Sequence, residues 1–250
     1  MFKIGLVSVT FRDLSVEEVL NVSKEAGISG IEWGGDVHVP PNSERAEEIG
    51  RLTEAAGLET VTYGSYYRLG EANDYAFTDI LETAHQLRAS GIRVWAGKKG
   101  SQEADDTYRK LVVEDAKRIA DLAKLKGLVI HLEYHGNTLT DTAESTGALM
   151  KAIDRENVYS YWQPAVGLPV EKRLENIAAI QDWISHVHAF HWHGTDRQPF
   201  EDGISDWKKY LQALKPDGDQ TRYLMMEFVK DDDVKQFYED VRVMKEIVAK

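Results

Sequence analysis

Residues 128–142 read LVIHLEYHGNTLTDT, and the periodicity of this stretch and its flanks decides the fold. A helical pattern running from Asp106 to Lys126 stops at Gly127, a short apolar run follows, and a polar loop leads into a second helical pattern over Glu144 to Ile153. This is the signature of one β/α unit. In an extended strand residues two apart share a face, so His131, Glu133 and His135 are expected on one side and Ile130, Leu132 and Tyr134 on the other. A carboxylate and two imidazoles on the buried side of a strand form either a polar cluster satisfied by its neighbours or a group that holds something.

The same punctuation recurs along the chain. Strands are expected at Ile4–Val9, Gly30–Gly34, Glu59–Tyr63, Arg93–Ala96, the stretch just quoted, Val158–Trp162, His186–Trp192 and Tyr223–Phe228. Between them lie amphipathic helical patterns, the first opened by Ser15 with Glu18 completing a capping box and closed at Gly27. Eight strands alternating with eight helices imply parallel strands with helical crossovers. Units of about 30 residues give the dimensions of a closed (β/α)8 TIM barrel. An open doubly wound sheet would carry a glycine-rich phosphate turn after its first strand, whereas this turn reads SVTFRDLS. No linker or composition shift divides residues 1–250, so one α/β barrel domain is expected.

With 42% hydrophobic and 29% charged residues the composition is that of a globular protein. The absence of cysteine excludes disulfides, thiolate metal sites and a cysteine nucleophile. A formal net charge of −12 without a basic patch argues against nucleic acid as a partner. MFKIGLVSVTF reads as a first strand and not a signal peptide, and no run is long enough for a membrane span, so a cytoplasmic protein is expected.

In such a barrel the C-terminal strand ends form the floor of the active site. They carry Glu32, Glu133 with His135, Gln163, His188 and Glu227. Carboxylates converging on one cavity repel, so some are protonated or a cation lies among them. Glu oxygens with one His suit Mn²⁺, Mg²⁺, Co²⁺ or Zn²⁺. A hydrogen-bonded polar layer capping the barrel is the competing reading.

GIEWGGDVHVPP, IRVWAG, HLEYHGNTLTDT, YWQP, HVHAFHW, FEDGISDW and MMEF, in this order, resemble the sugar isomerase and epimerase family with a xylose-isomerase-like barrel. That resemblance implies a divalent metal held by Glu133, Gln163, His188 and Glu227. The family's usual residue at position 163 is Asp, and a Gln there brings no charge and weakens the metal site. It also implies isomerisation or epimerisation of a small sugar or hydroxy-keto compound through an enediolate, with Glu133 and Glu227 as acid and base.

Glu32, His38, Tyr66, Arg68, Trp95, His135 and Arg197 are candidate substrate contacts, the aromatic rings because they stack on sugar C–H faces. The superfamily also includes abasic-site endonucleases. The segment Asp196, Arg197, Gln198, and Val166 three residues after Gln163, lack the histidines those enzymes need. Two alternatives share the same residues: a metal-weakened barrel that binds a sugar or a partner, and a dehydratase acting on a polyol ketone. The expected partner is a small sugar or polyol, and a homo-oligomer is left open.

Overall fold

The computed structural model of the chain describes residues 1–216, 218 and 220–249. Eight parallel strands close a barrel: β1 (Phe2–Val7), β2 (Gly30–Gly34), β3 (Glu59–Arg68), β4 (Gly91–Trp95), β5 (Val129–Glu133), β6 (Val158–Trp162), β7 (Ile184–Ala189) and β8 (Arg222–Met226). Each strand pairs with its sequence neighbours, and β8 pairs back onto β1 from Phe2↔Arg222 to Leu6↔Met226. The helices are α1 (Val16–Ala26), α2 (Ala46–Ala55), α3 (Phe77–Gln86), α4 (Asp106–Leu125), α5 (Ala143–Ile153), α6 (Val170–Ile180), α7 (Ile204–Ala213) and α8 (Val234–Val248). The expected single (β/α)8 barrel is the observed one. No described helix is long and apolar enough to cross a membrane.

Local sequence explains the punctuation. Ser15 accepts from the Glu18 amide while the Glu18 carboxylate accepts from the Ser15 amide, the reciprocal cap expected from the sequence. Gly27 closes α1 at φ +61, a left-handed position that a side chain enters at a cost. Val, Ile and Leu on alternate strand positions, such as Ile31, Ile92, Val94, Ile130, Leu132 and Val187, are fully buried in the large hydrophobic cluster with the helices. Val7, Val61, Tyr223 and Met225 form a second, smaller cluster.

Two strand expectations shift. Strand seven runs from Ile184 to Ala189 and stops before the Phe190–Trp192 segment, where a short antiparallel ribbon pairs Trp192 with Arg197. Strand three continues past Tyr63 to Arg68, with its register against β4 broken between Gly64 and Arg68. Tyr66, at φ +58, sits in that break. Such an irregularity re-aims side chains at the rim of a barrel.

Candidate active site

Inward positions of five of the eight strands converge at the C-terminal mouth. Glu32 on β2, Arg93 on β4, Glu133 on β5, His188 on β7 and Glu227 just after β8 are all buried. The donor atoms of Glu133, His188 and Glu227 lie within 4.8 Å of one another. Gln163 Oε1 is 3.0 Å from His188 Nδ1, and that nitrogen is also 3.5 Å from Glu227 Oε2 and 3.8 Å from Glu133 Oε1. One imidazole nitrogen therefore faces three oxygen-bearing side chains. The other, Nε2, is buried without a hydrogen-bond partner and has Glu32 Oε1 at 3.9 Å.

Arg93 is the residue that sequence reasoning missed. Its Nε donates to Glu32 Oε1 at 2.7 Å and its Nη1 donates to Glu133 Oε2. The carboxylate repulsion for which protonation or a cation was expected is thus partly relieved by a guanidinium on β4, two strands from Glu32 and one from Glu133. An arginine inside an otherwise apolar IRVW run was the available signal, since an isolated buried charge there demands partners. Thr62 adds a donor to Glu32 Oε2 at 2.6 Å and meets the Tyr161 hydroxyl at 2.9 Å. The Trp95 indole N–H donates to Glu133 Oε2.

These partners divide the carboxylates. Burial alone would raise Glu32, but Arg93, His188 and Thr62 outweigh it and hold the group well below the ordinary carboxylate range. Burial also works against ionised Glu133, and Arg93, His188, His135 and Trp95 again bring it below its ordinary value. Glu227 goes the other way: burial raises it, His188 only partly offsets this, and the neighbouring Glu133 charge raises it further. Among the described side chains none donates a hydrogen bond to the Glu227 carboxylate. Burial lowers His188, yet Glu227, Glu32 and Glu133 together leave it above its ordinary value.

The cavity over this floor has a volume of about 890 Å³. Tyr66, Trp95, His135, Gln163, Trp192 and Glu227 are among its walls. Trp95 carries the Arg68 guanidinium 3.7 Å from its ring centre and has the His135 ring stacked at 5.2 Å. Tyr66 meets its edge at 5.6 Å.

The other candidate contacts are placed elsewhere. His38 bonds Ser8 Oγ at 2.9 Å through Nδ1 and the Leu14 carbonyl at 3.1 Å through Nε2, which engages both nitrogens in holding loops together away from the cavity. Glu32 lies beneath the floor, fully buried against Arg93. Arg68 donates to the Gly97 carbonyl and lines an adjoining cavity with Tyr67 and Tyr75. Arg197 pairs with Asp232 over the Phe228 ring and lines a second neighbouring cavity. His135 lies beyond the end of β5 and not in it, at the rim, where Nδ1 meets the Gly136 carbonyl at 2.7 Å.

Residues 20–247 match the family model described as xylose isomerase-like TIM barrel. The chain belongs to that family. A 3-dehydroshikimate dehydratase from Bacillus anthracis is 26% identical to this family member over 205 residues, which is 74% of this chain and 70% of the relative. The crystal structure of a probable 3-DHS dehydratase from Bacillus anthracis superposes with a TM-score of 0.78 at 21% identity, covering 97% of this chain and 98% of the other. A D-allulose 3-epimerase from Methylomonas sp. superposes with a TM-score of 0.74 at 14% identity, each chain covered to 98%. These relatives are described as a dehydratase and an epimerase.

Proposed function

We propose that this barrel is a divalent-metal-dependent enzyme that moves a proton at the carbon beside the carbonyl of a small polyhydroxy compound, an isomerase or epimerase type of reaction. The observation that carries the reading is the convergence of Glu133, His188 and Glu227 donor atoms within 4.8 Å, with Gln163 Oε1 at the same imidazole nitrogen. Charge and donor chemistry both fit a metal there. Three buried carboxylates, Glu32, Glu133 and Glu227, against the one guanidinium of Arg93 leave two negative charges, which a divalent cation balances. Glu133, Gln163, His188 and Glu227 would hold it, with oxygen and imidazole donors suited to Mn²⁺, Mg²⁺, Co²⁺ or Zn²⁺. Such an ion supplies Lewis-acid polarisation of a carbonyl oxygen.

The protein's own residues then have distinct tasks. Glu133, fixed by Arg93 and Trp95, stays ionised and immobile. Glu227, to which no described side chain donates a hydrogen bond, accepts the proton from carbon and returns it. Tyr66, Trp95 and Trp192 line the space above and offer apolar faces to sugar C–H groups. One free carboxylate supports transfer between adjacent carbons more than inversion by two bases. It also suits a second reading, loss of water from a hydroxy-ketone, which the 26% identical dehydratase favours.

Incubation of the purified protein with Mg²⁺ or Mn²⁺ and a panel of ketoses, cyclic polyol ketones and 3-dehydroshikimate in D₂O, followed by NMR, tests this. Deuterium is expected beside a carbonyl, at a rate reduced about 10²–10⁴-fold in Glu227→Gln. Undiminished exchange in that variant, or no exchange with any compound and no metal retained on dialysis, would refute the proposal. Loss of water without return of deuterium to carbon would select the second reading.

A further inference from the structure

The proposed reaction requires a hydroxy-carbonyl group and leaves the remainder of the substrate undefined. The cavity walls constrain it. Arg12 and Arg93 are the Arg and Lys side chains lining the central cavity, and both are already neutralised: Arg12 by Asp36 at 2.5 Å and Arg93 by Glu32 and Glu133. Asp141, also in the wall, receives the Ser101 amide on Oδ2, while its Oδ1 is buried without a partner. The Trp192 indole N–H is likewise buried and unpartnered.

The places where barrels of this type bind phosphate are filled with acid. Phosphate sites usually use the loops after strands seven and eight and a nearby helix N-terminus. Here Glu201 and Asp202 precede α7, Asp206 occupies its first turn, and Asp231, Asp232 and the capping Asp233 precede α8. The Arg197 guanidinium at this edge is taken by Asp232. Among the described residues no carboxylate contacts Arg68 or Arg173, and both are turned to other partners. Arg68 lies on Trp95 and bonds Gly97 O, and Arg173 donates to Ala165 O and the Tyr210 hydroxyl, each lining an adjoining cavity.

We propose that the central cavity selects an uncharged polyhydroxy carbonyl compound and excludes its phosphorylated counterpart, an inference that rests on the proton-transfer reading above. With a divalent ion in place the buried charges balance, so no positive charge is left over to receive an anion. An anion would have to displace Asp36 from Arg12 or lie in a wall that carries the Asp141 carboxylate.

Calorimetric titration of the Mg²⁺-loaded protein with inorganic phosphate, D-fructose and fructose 6-phosphate tests this, alongside Asp36→Asn titrated with phosphate. The wild type is expected to give no heat with phosphate and to bind the phosphorylated ketose at least about tenfold more weakly than the neutral one. Asp36→Asn, an exposed ion-pair variant that frees Arg12, is expected to gain phosphate binding. Phosphate binding by the wild type, tighter binding of the phosphorylated ketose, or a variant as silent as the wild type would each overturn the inference. If neither sugar binds, the phosphate titrations of the two proteins decide alone. Failure of deuterium exchange is a separate result and bears on the reaction, not on the charge preference.

Discussion

Arg93 sets the electrostatics of the mouth because it is buried, bidentate across two strands, and matched to two carboxylates. Removing one partner of such a cluster leaves uncompensated buried charge. Arg93→Met is therefore expected to lose about 3–5 kcal/mol of stability, read from urea midpoints, and adding Glu32→Gln is expected to restore much of it. A midpoint unchanged by Arg93→Met would show that the two glutamates are not held ionised by this residue. At this scale Glu133, His188 and Glu227 were legible in the sequence because each is a polar residue at a strand end, where a barrel directs side chains inward. Arg93 and Thr62 were not, because the partner of a buried charge lies across the barrel and leaves no mark in local spacing. The surroundings of His38 were illegible for a similar reason: a histidine among prolines in a loop does not reveal that both of its nitrogens are already engaged by Ser8 and Leu14.

At the level of elements, β3 shows what periodicity reads and what it cannot. The alternation of Thr60, Thr62 and Gly64 with Val61 and Tyr63 identified a strand, and the Gly57 closure before it set its start. Its continuation through a broken register, with Tyr66 left-handed, has no alternation signal, since a bulge shifts the period by one residue. Gly64 is in the strand for space: a Cβ there would fall 2.8 Å from Arg93 Nη2 and 2.9 Å from Glu32 Oε1. Gly64→Ala is thus expected to cost about 1–3 kcal/mol and to disturb the ion cluster. Thermal unfolding with circular dichroism measures the loss, and a wild-type transition would show that the strand relaxes around the methyl. Helix ends were the most legible elements, as the Ser15 and Glu18 cap shows, because capping is local chemistry.

Across the whole molecule, the strict eightfold alternation made the closed barrel legible, whereas the depth of its polar interior was not. Below the site His131 and His186 face each other at 5.4 Å inside the barrel. Burial holds His131 well below its ordinary pKa, and burial with the Arg222 charge lowers His186 to about 4. The unfolded chain binds protons on these histidines near pH 6.5 while the folded one does not, so both withdraw stability as pH falls from about 6.5 towards 4. Asp240, raised by burial to about 6, opposes them over part of that range, so the histidine share is best isolated by difference. His186→Asn is expected to lose less stability than the wild type between pH 6.5 and pH 4, by on the order of 1 kcal/mol per pH unit, in urea titrations at stepped pH. Parallel pH profiles for the two proteins would count against a neutral His186. The ion cluster at the mouth has a consequence in the order in which the chain is synthesised. Glu32 emerges with β2 and Arg93 with β4, and the pair is neutral; Glu133 on β5 adds one negative charge, and Glu227 adds the second as β8 reaches β1. The deficit of two charges on which the proposed divalent ion rests exists only once the last strand has closed the ring, so an incomplete barrel would have no reason to capture one.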